Sequence, residues 1–324
     1  ASLFAQKRIE VLREIGDKGI LADALIEYID LMIDQKEFGS VEGLLDEAIK
    51  LFQQSGEEIK LATAKVKKGL VIYETVNLKE SAFELAEEAI SGVKESWDTR
   101  KAAFIYAQAG VIFREGGDFD RSLVNFLKAI ELFQKGGDVK GAINTRIEIG
   151  HMKIQQGKHI EAQNIFQKVL AQEKRKGASK ERADILTFIG NALLLQGKYT
   201  AALTSYQEAI DLRAKRSKSD NANTLTNAAI AHEALGNLTE AQKALVKARR
   251  FFGTNKDLKG EGYVLTHLGN IATKMGDFKS AEKIFSKAIS VHKKLRDEDA
   301  LAYGYFAHGL SLESIGQIKR SEEA

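Results

Sequence analysis

The 324-residue chain is 44% hydrophobic and 29% charged, has a formal net charge of +3, and contains neither proline nor cysteine. Its length exceeds the roughly 250–300 residues at which single cores stop growing, which predicts several domains or one extended array. The lack of cysteine excludes disulfides, thiolate metal ligands and a cysteine nucleophile, and no apolar run approaches the ~20 residues of a membrane span.

The first predicted element is a helix from Ser2 to Ile15 that ends at Gly16. Its position before the first repeat predicts that residues 1–19 form an N-terminal capping helix. We expect residues 20–324 to form one repeat array, with a last repeat that lacks its second helix. Such an end exposes an apolar face, so we keep a homodimer through the terminal repeats among the expected partners.

Short turns that begin with glycine recur along the rest of the chain. They start at Gly117, Gly157, Gly197, Gly236, Gly276 and Gly316. This spacing is a nearly constant period of about 40 residues. The same step backwards reaches Asn77 and Glu37, which gives about eight units. Apolar residues three and four positions apart predict a helix on each side of the turn. The side chains of Asp118, Asn237 and Asp277 are placed to cap the second helix.

Small and large residues alternate in the same register. The first helices carry a small residue at Gly110, Gly150, Gly190, Ala229, Gly269 and Gly309. The second helices carry a small residue and, four positions later, a large one: Ser122 and Phe126, Ala162 and Phe166, Ala202 and Tyr206, Ala241 and Leu245, Ala281 and Phe285. Close packing of neighbouring helices is the simplest reason to keep these glycines. The repeat is weaker before residue 100, where Leu70 replaces the small residue, and we expect Trp97 to be a packing anchor.

This pattern of small residue, aromatic residue and alanine resembles the tetratricopeptide repeat (TPR). The consensus proline at the end of the second helix is absent, and its place is taken by Gln134, Lys174, Ala214, Gly253 and Lys293. Each unit is also longer than the usual repeat of about 34 residues, and we expect the extra residues in connectors such as 136–141, 175–179 and 255–260. This longer variety is similar to the arrays of Pins-type polarity adaptors, kinesin light chains and Rap-type peptide receptors. The resemblance implies an all-α, right-handed superhelical solenoid of stacked antiparallel helix pairs.

The resemblance also implies a concave groove lined by the first helices. Its residues are polar and rich in asparagine, whose amide offers a donor and an acceptor that match a peptide bond. The predicted peptide-binding residues are Arg114, Asn144, Glu148, His151, Asn191, Asn223, Asn227, His267, Asn270 and Lys274. The alternative is that the asparagines cap or bridge neighbouring helices. A cationic clamp for a terminal carboxylate is not predicted, because only Arg114 and Lys274 qualify.

Motifs of catalysis and metal binding are absent from the sequence. It contains no G-x-x-x-x-G-K-[S/T] phosphate loop, no H-E-x-x-H pair and no G-x-S-x-G elbow. Glu148 and His151 are spaced three apart, as in carboxylate di-metal bundles, but the repeat offers no matching ligands from facing helices. We therefore expect no enzyme activity, no cofactor and no metal site.

A nucleic acid or an anionic membrane is a less favoured partner. Residues 1–99 carry 12 basic and 20 acidic residues, net −8, which leaves 36 basic and 25 acidic residues, net +11, in the rest. Two basic clusters lie one repeat period apart, at Arg175, Lys176, Lys180 and Arg182 and at Arg213, Lys215, Arg216 and Lys218. They would share one edge of the array, but the sequence pI of 8.7 lies below the value of about 9 typical of nucleic-acid domains.

The sequence favours a cytoplasmic protein-interaction scaffold that binds a peptide or a helical segment in the groove. Two alternatives stay open. One is a peptide-sensing regulatory module of a larger signalling protein. The other is a nucleic-acid or membrane adaptor that uses the basic edge.

Overall fold

The computed structural model describes residues 2–34, 38–76, 78–173, 180–214 and 221–314. Within these ranges the chain forms sixteen helices and no strand, which confirms the predicted all-α class. The helices divide into two compact units, residues 1–156 and residues 157–324. The repeat positions predicted at residues 37, 77 and 316 lie outside the described residues, as does the end of the last repeat.

Unit 1 contains eight helices within its described residues. They are α1 (Ser2–Ile15), α2 (Lys18–Asp34), α3 (Val41–Ser55), α4 (Glu58–Val76), α5 (Lys79–Ser91), α6 (Thr99–Glu115), α7 (Phe119–Lys135) and α8 (Val139–Gln155). Consecutive helices pack against each other along the chain. The helix predicted from Ser2 to Ile15 is present as α1, and its Ile9 is buried in the core of α2 and α3. Its role as a cap stays a prediction.

Unit 2 contains the other eight helices of the described chain. They are α9 (His159–Glu173), α10 (Lys180–Leu195), α11 (Tyr199–Ala214), α12 (Ala222–Ala234), α13 (Leu238–Thr254), α14 (Leu258–Lys274), α15 (Phe278–Leu295) and α16 (Glu298–Ser314). The pairs α10 and α11, α12 and α13, and α14 and α15 pack closely. No described helix is both long enough and apolar enough to cross a membrane.

The extra residues of the long repeat lie mostly in the helices, so their predicted place in connectors was wrong. The helices α6, α7 and α8 each have 17 residues. The turns between them are residues 116–118 and 136–138, and two such helices with two such turns make up the period. Residues 258–260 likewise belong to α14. Residues 175–179 lie outside the described chain.

A glycine in each of three first helices receives an aromatic ring from the second helix. A Cβ atom added at Gly110 would lie 2.6 Å from the Phe126 ring, and one added at Gly190 would lie 2.4 Å from Tyr206. The same distance from Gly269 to Phe285 is 2.5 Å. These distances are shorter than van der Waals contact, so only glycine fits. The predicted alternation of small and large residues is confirmed at these three pairs.

The early repeat places its glycine one position before the expected one. A Cβ atom added at Gly69 would lie 2.9 Å from Ile112 and 3.2 Å from the carbonyl oxygen of Ala82. Gly69 therefore allows the close approach, and the neighbouring Leu70 turns toward a cavity instead. Trp97 is partly buried against the core of α4, α5 and α6, as predicted for a packing anchor.

The turns and caps follow the predicted chemistry with one exception. Gly117 has a φ of 79°, a left-handed conformation that glycine adopts at little cost. The carboxylates of Asp118 and Asp277 accept backbone hydrogen bonds from Arg121 and Ser280, which confirms them as caps. The prediction for Asn237 was wrong, because its side chain makes no capping bond.

Candidate functional site

The first helices of unit 1 lie side by side and run in the same direction. Two ion pairs join α2 to α4, Asp23 with Lys60 and Asp30 with Lys67. Both partners advance by seven positions from the first pair to the second, which is the pattern of parallel helices. Further along, the Tyr73 hydroxyl of α4 donates to the carbonyl of Glu115 in α6. This arrangement leaves a row of side chains between neighbouring first helices.

Three cavities of unit 1 share the side chain of Phe104. Their volumes are about 570, 540 and 480 Å³. Phe104 is 43% exposed although it is a large aromatic residue. We call the lining of these three cavities the Phe104 surface. Its largest cavity, the trough between α4 and α6, has an apolar floor made by Val66, Leu70, Val111 and Ile112.

The predicted site residues of unit 1 lie next to this surface. Asn144 and Glu148 line the 480 Å³ cavity together with Phe104. Arg114 is only 10% exposed, and its guanidinium is paired with the carboxylates of Glu115 and Glu148. It is therefore an internal cation, not one that faces a ligand freely.

The imidazole of His151 is half-buried beside this ion pair. Burial lowers the pKa of His151, while the nearby Glu148 raises it and Arg114 lowers it further. The neutral imidazole is therefore favoured at neutral pH. Within the described chain no three histidine or acidic side chains gather closely enough to hold a metal ion, and Glu148 with His151 is no exception.

In unit 2, two of the predicted asparagines contact each other. Asn227 Nδ2 donates to Asn191 Oδ1 at 2.8 Å, and the buried Tyr206 hydroxyl donates to the same oxygen at 2.9 Å. Asn191 thus links α10, α11 and α12, as the bridging alternative states. The Nδ2 group of Asn191 and the Oδ1 atom of Asn227 take no part in these bonds.

The remaining predicted residues of unit 2 lie on α12 and α14. Asn223 is exposed. Asn270 Nδ2 donates to the Tyr303 hydroxyl at 3.3 Å, and Lys274 pairs with Glu233 at 2.7 Å. His267 stacks edge-on against the ring of Tyr263, with centroids 4.6 Å apart. Burial lowers the pKa of His267, and Glu233 raises it in part.

Sequence reasoning missed Phe104 and Leu70. Phe104 precedes Asn144 by one repeat period, so it occupies the register of a predicted groove residue. A phenylalanine at a position that is polar in the next repeat is the signal that would have found it. Leu70, a large residue at an expected small position, was a second such signal. Exposure of both side chains to a cavity could be seen only in the folded chain.

Two described arginines of the basic edge are held in ion pairs. Arg182 pairs with Glu208 at 3.1 Å. Arg213 is 10% exposed and pairs with Asp184. Arg175, Lys176, Lys215, Arg216 and Lys218 lie outside the described residues. The described cations therefore give no support to a phosphate-binding edge.

Antiparallel helix pairs with a glycine that receives an aromatic ring define a helical-repeat protein. Residues 181–253 and 263–294 match families described as tetratricopeptide repeat. The chain thus contains tetratricopeptide repeats, as the resemblance implied. Curated protein sequences include no match to it.

Solved structures support the same fold. A Pyrococcus horikoshii STAND protein with a tetratricopeptide repeat sensor matches with a TM-score of 0.68 and 17% identity, over 99% of this chain and 50% of that one. Yeast Tom70 matches with a TM-score of 0.66 and 16% identity, over 99% and 61%. A Rap protein complexed with Competence and Sporulation Factor matches with a TM-score of 0.64 and 15% identity, over 93% and 84%.

Proposed function

We propose that this chain is a non-catalytic protein-interaction module that binds a short segment of a partner on the Phe104 surface. The observation that carries the proposal is the half-exposed Phe104 at the meeting point of three cavities of about 480 to 570 Å³. Ligand pockets are usually about 300–1,000 Å³ and mostly apolar. Aromatic side chains at the centre of such surfaces carry a large share of binding energy.

The structurally similar proteins support a peptide or a protein as the ligand. One neighbour is a Rap protein in complex with Competence and Sporulation Factor. At 15% identity that protein shares only the fold with this chain, so its ligand-contacting residues are not assigned to this chain. The residues of the Phe104 surface are instead identified from the cavities of this structure.

As a separate site within unit 2, we propose that its asparagines donate and accept hydrogen bonds with the backbone of an extended peptide segment. Asn223 is exposed, and Asn191 and Asn227 keep amide groups that their mutual bond does not use. An amide donor and acceptor match the peptide group. Arg114 and Lys274 are paired with carboxylates, so they contribute less than the sequence indicated.

The test begins with a random library of displayed short peptides, from which those that bind the whole chain are selected. Binding of the selected peptides is then measured for the wild type, for Phe104→Ala, and for the matched control Phe306→Ala. Phe306 is a 62% exposed phenylalanine of α16 in unit 2. Truncation of a central aromatic residue typically costs about 2 kcal/mol or more, roughly 30-fold in affinity. We expect that loss for Phe104→Ala only, with unchanged helical circular dichroism in both variants.

Equal binding by the wild type and Phe104→Ala would contradict the proposal, as would the selection of no peptide at all. The double variant Asn191→Ala and Asn227→Ala tests the asparagines of unit 2 with peptides from a second selection, which is made on the Phe104→Ala chain. We expect it to weaken the binding of these peptides about two- to ten-fold for each hydrogen bond lost, since each contributes about 0.5–1.5 kcal/mol net. Its thermal unfolding is measured in parallel, because the two residues also bridge helices.

A peptide-sensing regulatory module is the second candidate. The observation that favours it is the match over half the length of a STAND protein with a tetratricopeptide repeat sensor. This candidate requires a change in dimensions when a selected peptide binds. Identical small-angle scattering curves with and without the peptide would count against it.

A further inference from the structure

The trough between α4 and α6 has an excess of carboxylates. The charged residues that line it within the described chain are Asp30, Glu74, Glu115 and the single cation Lys67. Lys67 pairs with Asp30, and Glu115 pairs with Arg114. Glu74 is exposed and has no ion-pair partner in the part of the chain that the structure describes. One uncompensated carboxylate therefore stands beside the apolar floor.

This carboxylate lies at the carboxyl end of two parallel helices. Glu74 precedes the last residue of α4 by two positions, and Glu115 is the last residue of α6. The hydrogen bond from Tyr73 to the Glu115 carbonyl holds the two ends together. Carbonyl groups at a helix carboxyl end carry partial negative charge and favour a cation nearby. The Glu74 carboxylate and the carboxyl end of α4 thus favour a cation together, whereas the end of α6 already has Arg114.

The opposite end of the Phe104 surface has balanced charge. The 540 Å³ cavity at the amino ends of α4 and α6 is lined by three acidic and three basic residues, namely Asp23, Glu27, Asp138, Lys60, Arg100 and Lys101. Of these two cavities, only the trough between α4 and α6 therefore has an excess of negative charge. A bound segment with a single cation would be oriented by it.

We propose that the trough binds a segment of a partner protein that combines apolar side chains with a lysine or an arginine, and that the cation lies at the Glu74 end. This inference rests on the proposed function and names the chemistry of its partner. The apolar side chains cover the floor formed by Leu70, Val111 and Ile112. The cation meets the carboxylate of Glu74 near the carboxyl end of α4.

The length of the trough fits a short segment. Its lining extends along α4 from Thr63 to Glu74. Eleven helical steps of about 1.5 Å give roughly 17 Å, which is the length of about five residues of extended chain. Phe104 lies near one end of this distance and Glu74 at the other. One short segment can therefore contact both residues.

The experiment uses synthetic peptides chosen from those that depend on Phe104 in the selection described above. Each is made with its lysine or arginine, with glutamine in that place, and with glutamate. We expect affinity to fall in this order on the wild-type chain. Exposed ion pairs contribute up to about 1 kcal/mol, so the step from cation to glutamine is expected to be about two- to five-fold. Added salt should weaken binding of the cationic peptide most.

The variant Glu74→Gln locates the effect, and Glu84→Gln is its matched control on the exposed face of α5. We expect Glu74→Gln to weaken the cationic peptide about two- to five-fold, with no effect on the glutamine peptide and none from Glu84→Gln. Phe104-dependent peptides that lack lysine and arginine, or an unchanged affinity in Glu74→Gln, would overturn this inference and leave the proposed function standing. If no selected peptide loses affinity in Phe104→Ala, the proposed function itself is overturned.

Discussion

The two units share their helix packing and differ in how their first helices are linked. In both, a glycine of the first helix receives an aromatic ring, as at Gly110 in unit 1 and Gly190 in unit 2. Ion pairs such as Asp23 with Lys60 link the first helices of unit 1. The first helices of unit 2 are linked by neutral groups, as between Asn191 and Asn227, besides the ion pair of Lys274 with Glu233. One packing scheme thus accommodates two kinds of surface.

The two units also differ in net charge. Residues 1–156 carry 21 basic and 26 acidic residues, net −5, whereas residues 157–324 carry 27 and 19, net +8. Exposed positions of a repeat are free to vary because they take no part in the contact between helices. The repeat therefore determines where a side chain lies, whereas the chemistry of that side chain is independent in each unit.

The largest expected effect tests the shared packing. Phe126 in unit 1 and Tyr206 in unit 2 are fully buried. We expect Phe126→Ala and Tyr206→Ala each to cost about 3–5 kcal/mol, because each leaves a cavity against a glycine. Hydrogen exchange followed by mass spectrometry assigns the loss of protection to one unit. A loss that is large in only one of the two units would break the comparison.

Substitution by alanine should destabilise a helix glycine that contacts an aromatic ring, although it usually stabilises a helix. A Cβ atom at Gly190 would lie 2.4 Å from the Tyr206 ring, whereas one at Gly253, in the same unit, meets nothing within 4 Å. We expect Gly190→Ala to cost about 1–3 kcal/mol through overpacking. Gly253→Ala should instead gain up to about 1 kcal/mol from helix propensity. Thermal unfolding of the two variants measures this difference, and a gain in both would contradict the packing account.

The sequence was sufficient for the packing register and insufficient for the surface. Spacing alone placed the small Gly190 and the large Tyr206 at their repeat positions, because both positions are set by the period of the repeat. It could not show that Arg114 is held by Glu148, since that depends on how neighbouring first helices align. It also could not place Phe104 in a cavity, which requires the side chains of three helices at once. The fold was therefore predictable, whereas the availability of each groove residue was not.

The helix caps give a smaller difference between the units. Asp118 caps α7 in unit 1, and Asn237 occupies the same register before α13 in unit 2 without a capping bond. We expect Asp118→Ala to cost about 0.5–2 kcal/mol. Asn237→Ala should stay within about 0.5 kcal/mol. Urea unfolding followed by circular dichroism tests both, and equal costs would argue against the assignment of caps.

The cap of unit 1 also predicts a dependence on pH. The backbone hydrogen bond from Arg121 lowers the pKa of Asp118, with further help from the Arg121 side chain. A lowered pKa means that the stabilisation is present above the unfolded value of about 3.9 and is lost as pH falls through the folded pKa. We expect the wild type and Asp118→Ala to converge in stability below the folded pKa of Asp118. A difference that persists in acid would contradict the role of the carboxylate.

The smallest expected effect concerns one turn position that differs between the units. Gly137 in unit 1 has a φ of 70°, and Lys256, in the same register of unit 2, has a φ of 56°. The left-handed conformation is unfavourable for residues with a side chain. We expect Lys256→Gly to gain and Gly137→Lys to lose roughly 1 kcal/mol each. Melting temperatures that change in the same direction in both variants would contradict this comparison.

The most direct measurement of the central claim is hydrogen exchange of the whole chain with a selected peptide bound. We expect added protection in unit 1, in two helices that line the Phe104 surface, α4 (Glu58–Val76) and α6 (Thr99–Glu115). The same peptide should give no added protection in Phe104→Ala at the same concentration. Protection confined to unit 2, or protection that Phe104→Ala retains, would contradict the claim that the Phe104 surface is the binding site.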